Sequence, residues 1–550
     1  PKTPKWAEGK CGVPARQIKA LARYWAKHNV TTAHCNGGGY IRSVFAHEPA
    51  RLEIALLAMQ GVGAPGRNMF KMMEWGLYGM QSLNPLPHGE WGTFMFAAYT
   101  GHVAGTDLRH FVPQTLVPDA IMLPEGEKLS WYGHVVAGLP RADQYQRYEY
   151  PMEGASRIHM IWSDSPCWET CWNGGFKMQD ALRHESIEFV VVQHPWMEND
   201  TMFADIILPT NTKFETEDIG TDCDNGQWNV VFYERQAIKP IGESKSDKEA
   251  VGEVAKALEK FGGAYEGIYD KYVGGKTDEE WIKVGFDTSG VPEDLSYDEF
   301  KEKQYYPFPT KENWEDLPVG LSQFHDDPEG HPLQTPSGKL EYYSTTLAQM
   351  FPDDKERGPV PHWVDEGAGH QERQYLERGR KYPFLLVSNH PHFRVHAQHD
   401  DVTWFREIET CKVTGPDGYK YEPLWINPAD AKGLGLESGD IAKLYNDRGW
   451  VLGGVIVTER IRPGVVYQDH GAQLDPIEPG VSDRGGANNL IAPTKTTSQN
   501  APGEVTSGFL VGVEKVDVFQ LAEQYPEAFG RPYDPHNGVK MHNWIQEECE

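Results

Sequence analysis

The sequence predicts an α/β fold: nucleotide-binding doubly wound α/β domains come first, and a β-barrel domain follows. Two strand-like runs, residues 157–162 and 187–193, each end in a short polar loop. The second loop leads into Thr201-Met-Phe-Ala-Asp-Ile-Ile-Leu-Pro209 and then Glu217-Asp-Ile-Gly-Thr221. From Tyr382 onward the strands are short and separated by Gly, Asn and Asp turns, which is the pattern of a barrel. Open parallel sheets bind ligands beyond the carboxyl ends of their strands. Ser163-Asp164-Ser165-Pro166 and Gln193-His194-Pro195 therefore stand where a nucleotide would be gripped.

The elements follow in order. Residues 15–28 have the apolar period of a helix, and a strand at 30–35 runs into Asn36-Gly37-Gly38-Gly39, whose glycines allow close backbone approach to a phosphate or pterin. A helix at 50–59 and the turn Gly61-Val-Gly-Ala-Pro-Gly66 come next. Residues 69–150 are rich in Trp, Tyr, Met, Phe and Gly, and the substrate pocket is expected there, because sites are carried by loops on rigid elements. A helix ends at Phe261, with Asp247 as its expected N-cap. Residues 263–332 read as a polar surface excursion, and residues 353–380 as a charged linker into the last domain. The expected domains are 1–68, 69–380 and 381–550.

At 550 residues the chain is long enough for several cores. Its formal charge of −28 argues against a nucleic-acid binder, which needs Lys and Arg to displace counterions. A bound anionic dinucleotide must then be held by local Arg, backbone N–H groups and helix ends. No run of 18 apolar residues is present, so no membrane insertion is expected. Seven irregularly spaced cysteines disfavour a disulfide framework and suit a cytoplasmic setting. Cys167-Trp-Glu-Thr-Cys171 lacks the spacing of common zinc or ferredoxin sites, so these thiols are expected to be structural.

Several blocks, in this order and spacing, resemble the dimethyl-sulfoxide-reductase family of molybdenum enzymes. They are Thr335-Pro-Ser-Gly-Lys-Leu-Glu341, Asn427-Pro-Ala-Asp-Ala-Lys-Gly-Leu-Gly435, Ser438-Gly-Asp440, Asn446-Asp-Arg-Gly449, Arg462-Pro-Gly-Val-Val466 and Gly485-Gly-Ala-Asn-Asn-Leu490. The resemblance implies a six-stranded double-psi barrel, molybdenum and two molybdopterin guanine dinucleotides. It also implies that the opening Thr3-Pro-Lys-Trp6 lies well inside the family's polypeptide, so an amino-terminal portion carrying the metal ligand is expected to be missing. No residue here is then a molybdenum ligand.

By the same resemblance, Ser163, Asp164 and Ser165 take the place of a G-x-N-P loop, with Ser and Ser where Gly and Asn are usual. Gln193 and His194 stand where many relatives carry an Asp facing guanine; Thr201 and Asp205 also match. Ser388, Asn389, His390, Arg394 and His396 resemble the segment entering the cofactor groove, with Arg394 as charged partner to pterin or phosphate, and Asn488 and Asn489 face a second pterin. The irregular spacing of His390, His392 and His396 disfavours a structural metal. Tyr78 is the expected catalytic proton donor, with His88 and His110 as alternates.

The blocks around Asn36 and Glu74–Tyr78 are most like a branch of the family that moves a hydroxyl group between polyhydroxybenzenes, pyrogallol to phloroglucinol with a tetrahydroxybenzene co-substrate. That implies a small phenolic substrate and a β subunit carrying the iron–sulfur clusters. The alternatives are an electron-transferring oxidoreductase of the same family and a non-catalytic assembly module.

Overall fold

The computed structural model describes residues 2–35, 41–72, 111–133, 145–221, 230–308, 316, 318, 320–365, 371–534, 536 and 538–540. Gly37, Gly38, Tyr78, His88 and His110 lie outside the described residues. Strand β1 (Thr32–Cys35) pairs in parallel with β2 (Met69–Met72). The helices Ala15–Lys27 and His47–Ala58 accompany it, close to the predicted bounds. A hairpin of β3 (Leu129–Tyr132) and β4 (Arg147–Tyr150) packs Trp131 and Tyr148 into a small aromatic cluster with Phe111.

Three parallel strands follow in the order β5-β6-β7: β5 (Met160–Ser163), β6 (Phe189–His194) and β7 (Ile206–Pro209). Val190, Val191 and Val192 make β6 a run buried on both faces, as a central parallel strand requires. Ile161, Val190 and Val192 pack on Met178, Ala181 and Leu182 of the helix Gly175–Leu182. The register sets Ser163 beside Val192 and Gln193 beside Leu208, so the polar loops open from one edge of the sheet.

Three expectations are corrected here. Residues 263–332 are not a mere surface excursion. β8 (Asp218–Thr221), β9 (Val230–Glu234) and β10 (Tyr305–Pro307) form an antiparallel sheet, and Ile219, Val231 and Tyr233 pack against Ile282, Phe286 and Phe300. Capping boxes at Thr277/Glu280 and Ser296/Glu299 start the helices that carry those side chains, and their charged first turns hid the apolar stripe. Residues 353–380 are not a free linker either. Glu372 is buried, accepts the Leu510 N–H at 2.7 Å and pairs with Arg378 and Arg448. The N-cap of the helix Asp247–Leu258 is Ser246, whose hydroxyl accepts the Glu249 N–H, and Asp247 is its first residue.

The carboxyl-terminal strands are β11 (Phe384–Val387), β12 (Val413–Thr414), β13 (Lys420–Tyr421), β14 (Pro423–Ile426), β15 (Ile441–Asn446), β16 (Gly449–Val457), β17 (Val465–Tyr467), β18 (Pro476–Glu478), β19 (Ser482–Asp483) and β20 (Phe509–Val516). The pairings β14-β17-β11-β20-β15-β16 close through β16–β14, giving the expected six-stranded barrel. Its interior is filled by Leu386, Leu424, Ile426, Leu444, Val455 and Phe509, all fully buried. Full closure leaves these six strands no open edge.

Candidate functional site

Three parts of the chain meet at one small pocket. Arg42 comes from the segment after β1, and Cys171 ends the short helix Trp168–Cys171 that follows β5. Ser388, His390, His396, His470, Glu504 and Thr506 come from the barrel loops. The sheet and the barrel are clasped around it. Asn489 Nδ2 donates to the Cys171 carbonyl at 2.6 Å, Asn173 Nδ2 to the Pro493 carbonyl at 2.5 Å, and the Leu474 N–H to Asn199 Oδ1 at 2.7 Å.

The barrel loops are aimed by a buried ion network. Arg394 donates to Asp400 at 3.2 Å and to Glu422 at 3.0 and 3.2 Å, while Lys412 donates to Glu422 at 2.6 Å and to Asp400 at 3.0 Å. Arg406 joins through Asp400. Burial opposes ionisation of Asp400, but Lys412, Arg406 and Arg394 together hold its carboxyl far below the usual range. The remaining Arg394 donors reach the backbone carbonyls of His396, at 3.2 Å, and His470, at 2.6 Å. The structure thus places the guanidinium, expected to meet pterin or phosphate, inside this network, where it fixes two loops.

His396 has φ 53, a left-handed backbone that costs a non-glycine residue roughly 1–3 kcal/mol and is kept where surroundings impose it. That turn brings His396 Nδ1 to 3.1 Å from His470 Nε2. Gly471 makes the approach possible: a Cβ there would stand 2.2 Å from the His396 carbonyl oxygen. The His390 ring lies 4.5 Å from that of His396 and 5.2 Å from that of His470.

Electrostatics sharpen the pocket. A hydrogen bond from Cys167 holds the Cys171 thiol well below its usual range; burial opposes this, and His396 and Arg42 add to it. The same hydrogen bond, with burial, pushes Cys167 up. Burial and the neighbouring His396 and His390 push His470 well down, so it is neutral. Burial also lifts the Glu504 carboxyl to about 7 against the pull of Arg42, its ion-pair partner.

The other sequence-predicted residues fall into groups. Ser388, His390 and His396 line the pocket, and Ser388 Oγ donates to Asn488 Oδ1 at 3.4 Å. Asn489 is beside it through Cys171. Asn389 holds the His470 loop by accepting the His470 N–H at 3.4 Å. Ser163, Gln193 and His194 sit together at the carboxyl edge of the sheet, with Asp164 and Ser165 exposed in the following loop. Gln193 Nε2 donates to Asp247 at 2.7 Å, and its oxygen accepts from Trp162 Nε1 at 3.1 Å. Burial lowers the His194 pKa. The Thr201 hydroxyl donates to the Glu198 carbonyl.

Asp205 is not brought to this edge. It precedes β7 at the opposite end of the strands and accepts the Val190 N–H at 2.8 Å, so it ties β6 to β7. Cys171, His470, Arg42, Glu504 and Thr506 were not singled out as site residues. The one local signal was His470-Gly471 directly after a strand, since a glycine there permits close approach.

Residues 148–257 match the molybdopterin oxidoreductase family and residues 384–506 match the molydopterin dinucleotide binding domain. The chain is 32% identical over 574 residues to pyrogallol hydroxytransferase large subunit of Pelobacter acidigallici, covering 94% of this chain and 63% of that relative. It is 32% identical over 336 residues to dimethyl sulfoxide reductase DmsA of Escherichia coli (strain K12), covering 60% of this chain and 38% of that relative. Acetylene hydratase from Pelobacter acetylenicus superposes with a TM-score of 0.49 at 16% identity, over 80% of this chain and 50% of that one. The chain therefore spans under two thirds of the length of these relatives.

Proposed function

From a chain that matches the molybdopterin oxidoreductase family over one segment and the molydopterin dinucleotide binding domain over another, we propose the dinucleotide-gripping part of a molybdenum enzyme with two molybdopterin guanine dinucleotides, transferring a hydroxyl group between polyhydroxybenzenes such as pyrogallol and phloroglucinol. The observation that carries the reading is a set of unpartnered buried polar atoms, with Glu504 on the wall of the interdomain pocket, Asn489 beside it and Ser163 at the carboxyl edge of the sheet. Ser163 Oγ, Asn489 Oδ1 and Glu504 Oε1 are buried without a hydrogen-bond partner. A buried polar atom left unpaired costs about 1–3 kcal/mol, so such atoms mark places that an incoming group satisfies. Acceptors beside imidazoles and Arg42 fit a pterin, which offers both donors and acceptors, and its phosphates.

When bound, the cofactor supplies the redox-active centre for oxygen transfer, and the protein supplies position and electrostatics. Ser388, His390, His396, Asn488 and Asn489 hold the pterins. Ser163, Asp164, Ser165 and the pair Gln193–Asp247 hold the nucleotide ends, with Asp247 offering the carboxylate that a guanine edge prefers. Arg394 and Asn389 keep the His396 and His470 loops in place. Gly37 and Gly38 give the backbone room, and Tyr78 donates or holds a proton at the substrate oxygen. An iron–sulfur subunit is the proposed partner, in keeping with a relative that is itself named a large subunit.

The test is conversion of pyrogallol by the holoenzyme in the presence of a tetrahydroxybenzene and no external electron acceptor or donor. Turnover under those conditions, reduced about 100-fold or more by Tyr78→Phe, is expected. Turnover of an S-oxide that depends on an added electron donor, with none of pyrogallol, overturns the hydroxyl-transfer reading.

A further inference from the structure

We propose that Cys171, His396 and His470 form a binding site for one Zn²⁺ ion, separate from any molybdenum ligand. The proposal goes beyond the cofactor reading: it shares the pocket wall and His396 with that reading, and adds Cys171 and His470 as ligands of an ion. Sγ of Cys171 and one ring nitrogen of each histidine lie within 4.8 Å of one another. A zinc–nitrogen bond of about 2.0–2.1 Å at a tetrahedral angle sets its two nitrogens about 3.3 Å apart. The separation between His396 Nδ1 and His470 Nε2 is 3.1 Å. One thiolate with two imidazoles is a borderline-soft donor set that suits zinc, and a fourth position stays open for water or for the adjacent His390.

The site is built as well as clustered. Every proposed ligand has its own backbone carbonyl held by a neighbouring side chain: Cys171 by Asn489 at 2.6 Å, His396 by Arg394 at 3.2 Å, and His470 by Arg394 at 2.6 Å. These contacts fix the backbone from which each ligand projects. The left-handed backbone at His396 and the bare Gly471 serve this one convergence. The pocket encloses about 20 Å³, enough for one ion or one water. Arg42 is the one cation on its wall, and Glu504 pairs with it.

The experiment adds Co²⁺ as a spectroscopic stand-in to the reduced, metal-free 550-residue protein. Expected is one equivalent of bound cobalt with a thiolate-to-cobalt charge-transfer band, displaced by Zn²⁺ and lost in Cys171→Ser. Asn489→Ala, which releases the Cys171 carbonyl, should weaken binding. A second measurement needs no variant. Zn²⁺ should slow alkylation of Cys171 by iodoacetamide at least about 10-fold, as a metal-bound thiolate is masked, and leave the exposed Cys11 unchanged. No charge-transfer band, a band that survives in folded Cys171→Ser, or Cys171 alkylation indifferent to Zn²⁺ overturns the proposal.

Discussion

The ion network of the barrel and the edge of the β5-β6-β7 sheet handle polar groups in opposite ways. In the barrel, Arg394, Asp400, Lys412, Arg406 and Glu422 are buried and bound to one another. At the sheet edge, Ser163 Oγ is buried and has no hydrogen-bond partner, while Met160, Trp162 and Ile206 are exposed on one face. Saturated charge builds a frame that aims loops, whereas unsatisfied polar atoms belong where a ligand arrives. The pocket between them takes its strained His396 loop and the open Glu504 acceptor from the first and Cys171 from the second.

Glu422→Gln tests the frame most severely. It removes a carboxylate shared by Arg394 and Lys412, and breaking a buried pair costs about 3–5 kcal/mol. Chemical denaturation should show that loss, and a variant as stable as the parent would refute the role given to the network. Leu444→Ala, at a fully buried barrel position, should cost about 2–5 kcal/mol in the same measurement.

The clasp between the two regions should respond to pH. Burial raises the Glu198 carboxyl to about 8, above its usual 4.5, although the His399 N–H it accepts at 3.0 Å pulls the other way. The folded chain therefore keeps a proton that the unfolded chain has released. Stability from this group is full below about pH 4.5 and is lost as pH rises through about 8. Melting temperatures at pH 5, 6, 7 and 8 should fall with pH, and Glu198→Gln should flatten the slope. An unchanged slope in that variant would assign the effect elsewhere.

The smallest stability effects belong to the sheet edge. Met160→Ser, on the exposed face, should stay within about 0.5 kcal/mol of the parent, and Ser163→Ala, which deletes an unpartnered buried hydroxyl, should not destabilise the fold. Ser163→Ala should still lower the nucleotide content of the purified enzyme. Equal nucleotide content would remove Ser163 from the grip.

The parallel sheet was legible because the valine run of β6 and its polar exit are local signals. The barrel was legible through its turns. The function of Arg394 was not, because its carboxylate partner Glu422 lies 28 residues away and no short pattern joins them. The pairing of His396 with His470 spans 74 residues and depends on a backbone twist and a glycine contact that only the folded chain displays. Asp205 shows the reverse: its motif is conspicuous, and its carboxylate accepts the Val190 N–H within the sheet.

Metal and nucleotide analysis of the holoenzyme tests the central claim most directly. The account predicts about two guanine nucleotides released per molybdenum or tungsten. Metal-loaded, active enzyme that releases no guanine nucleotide would contradict it.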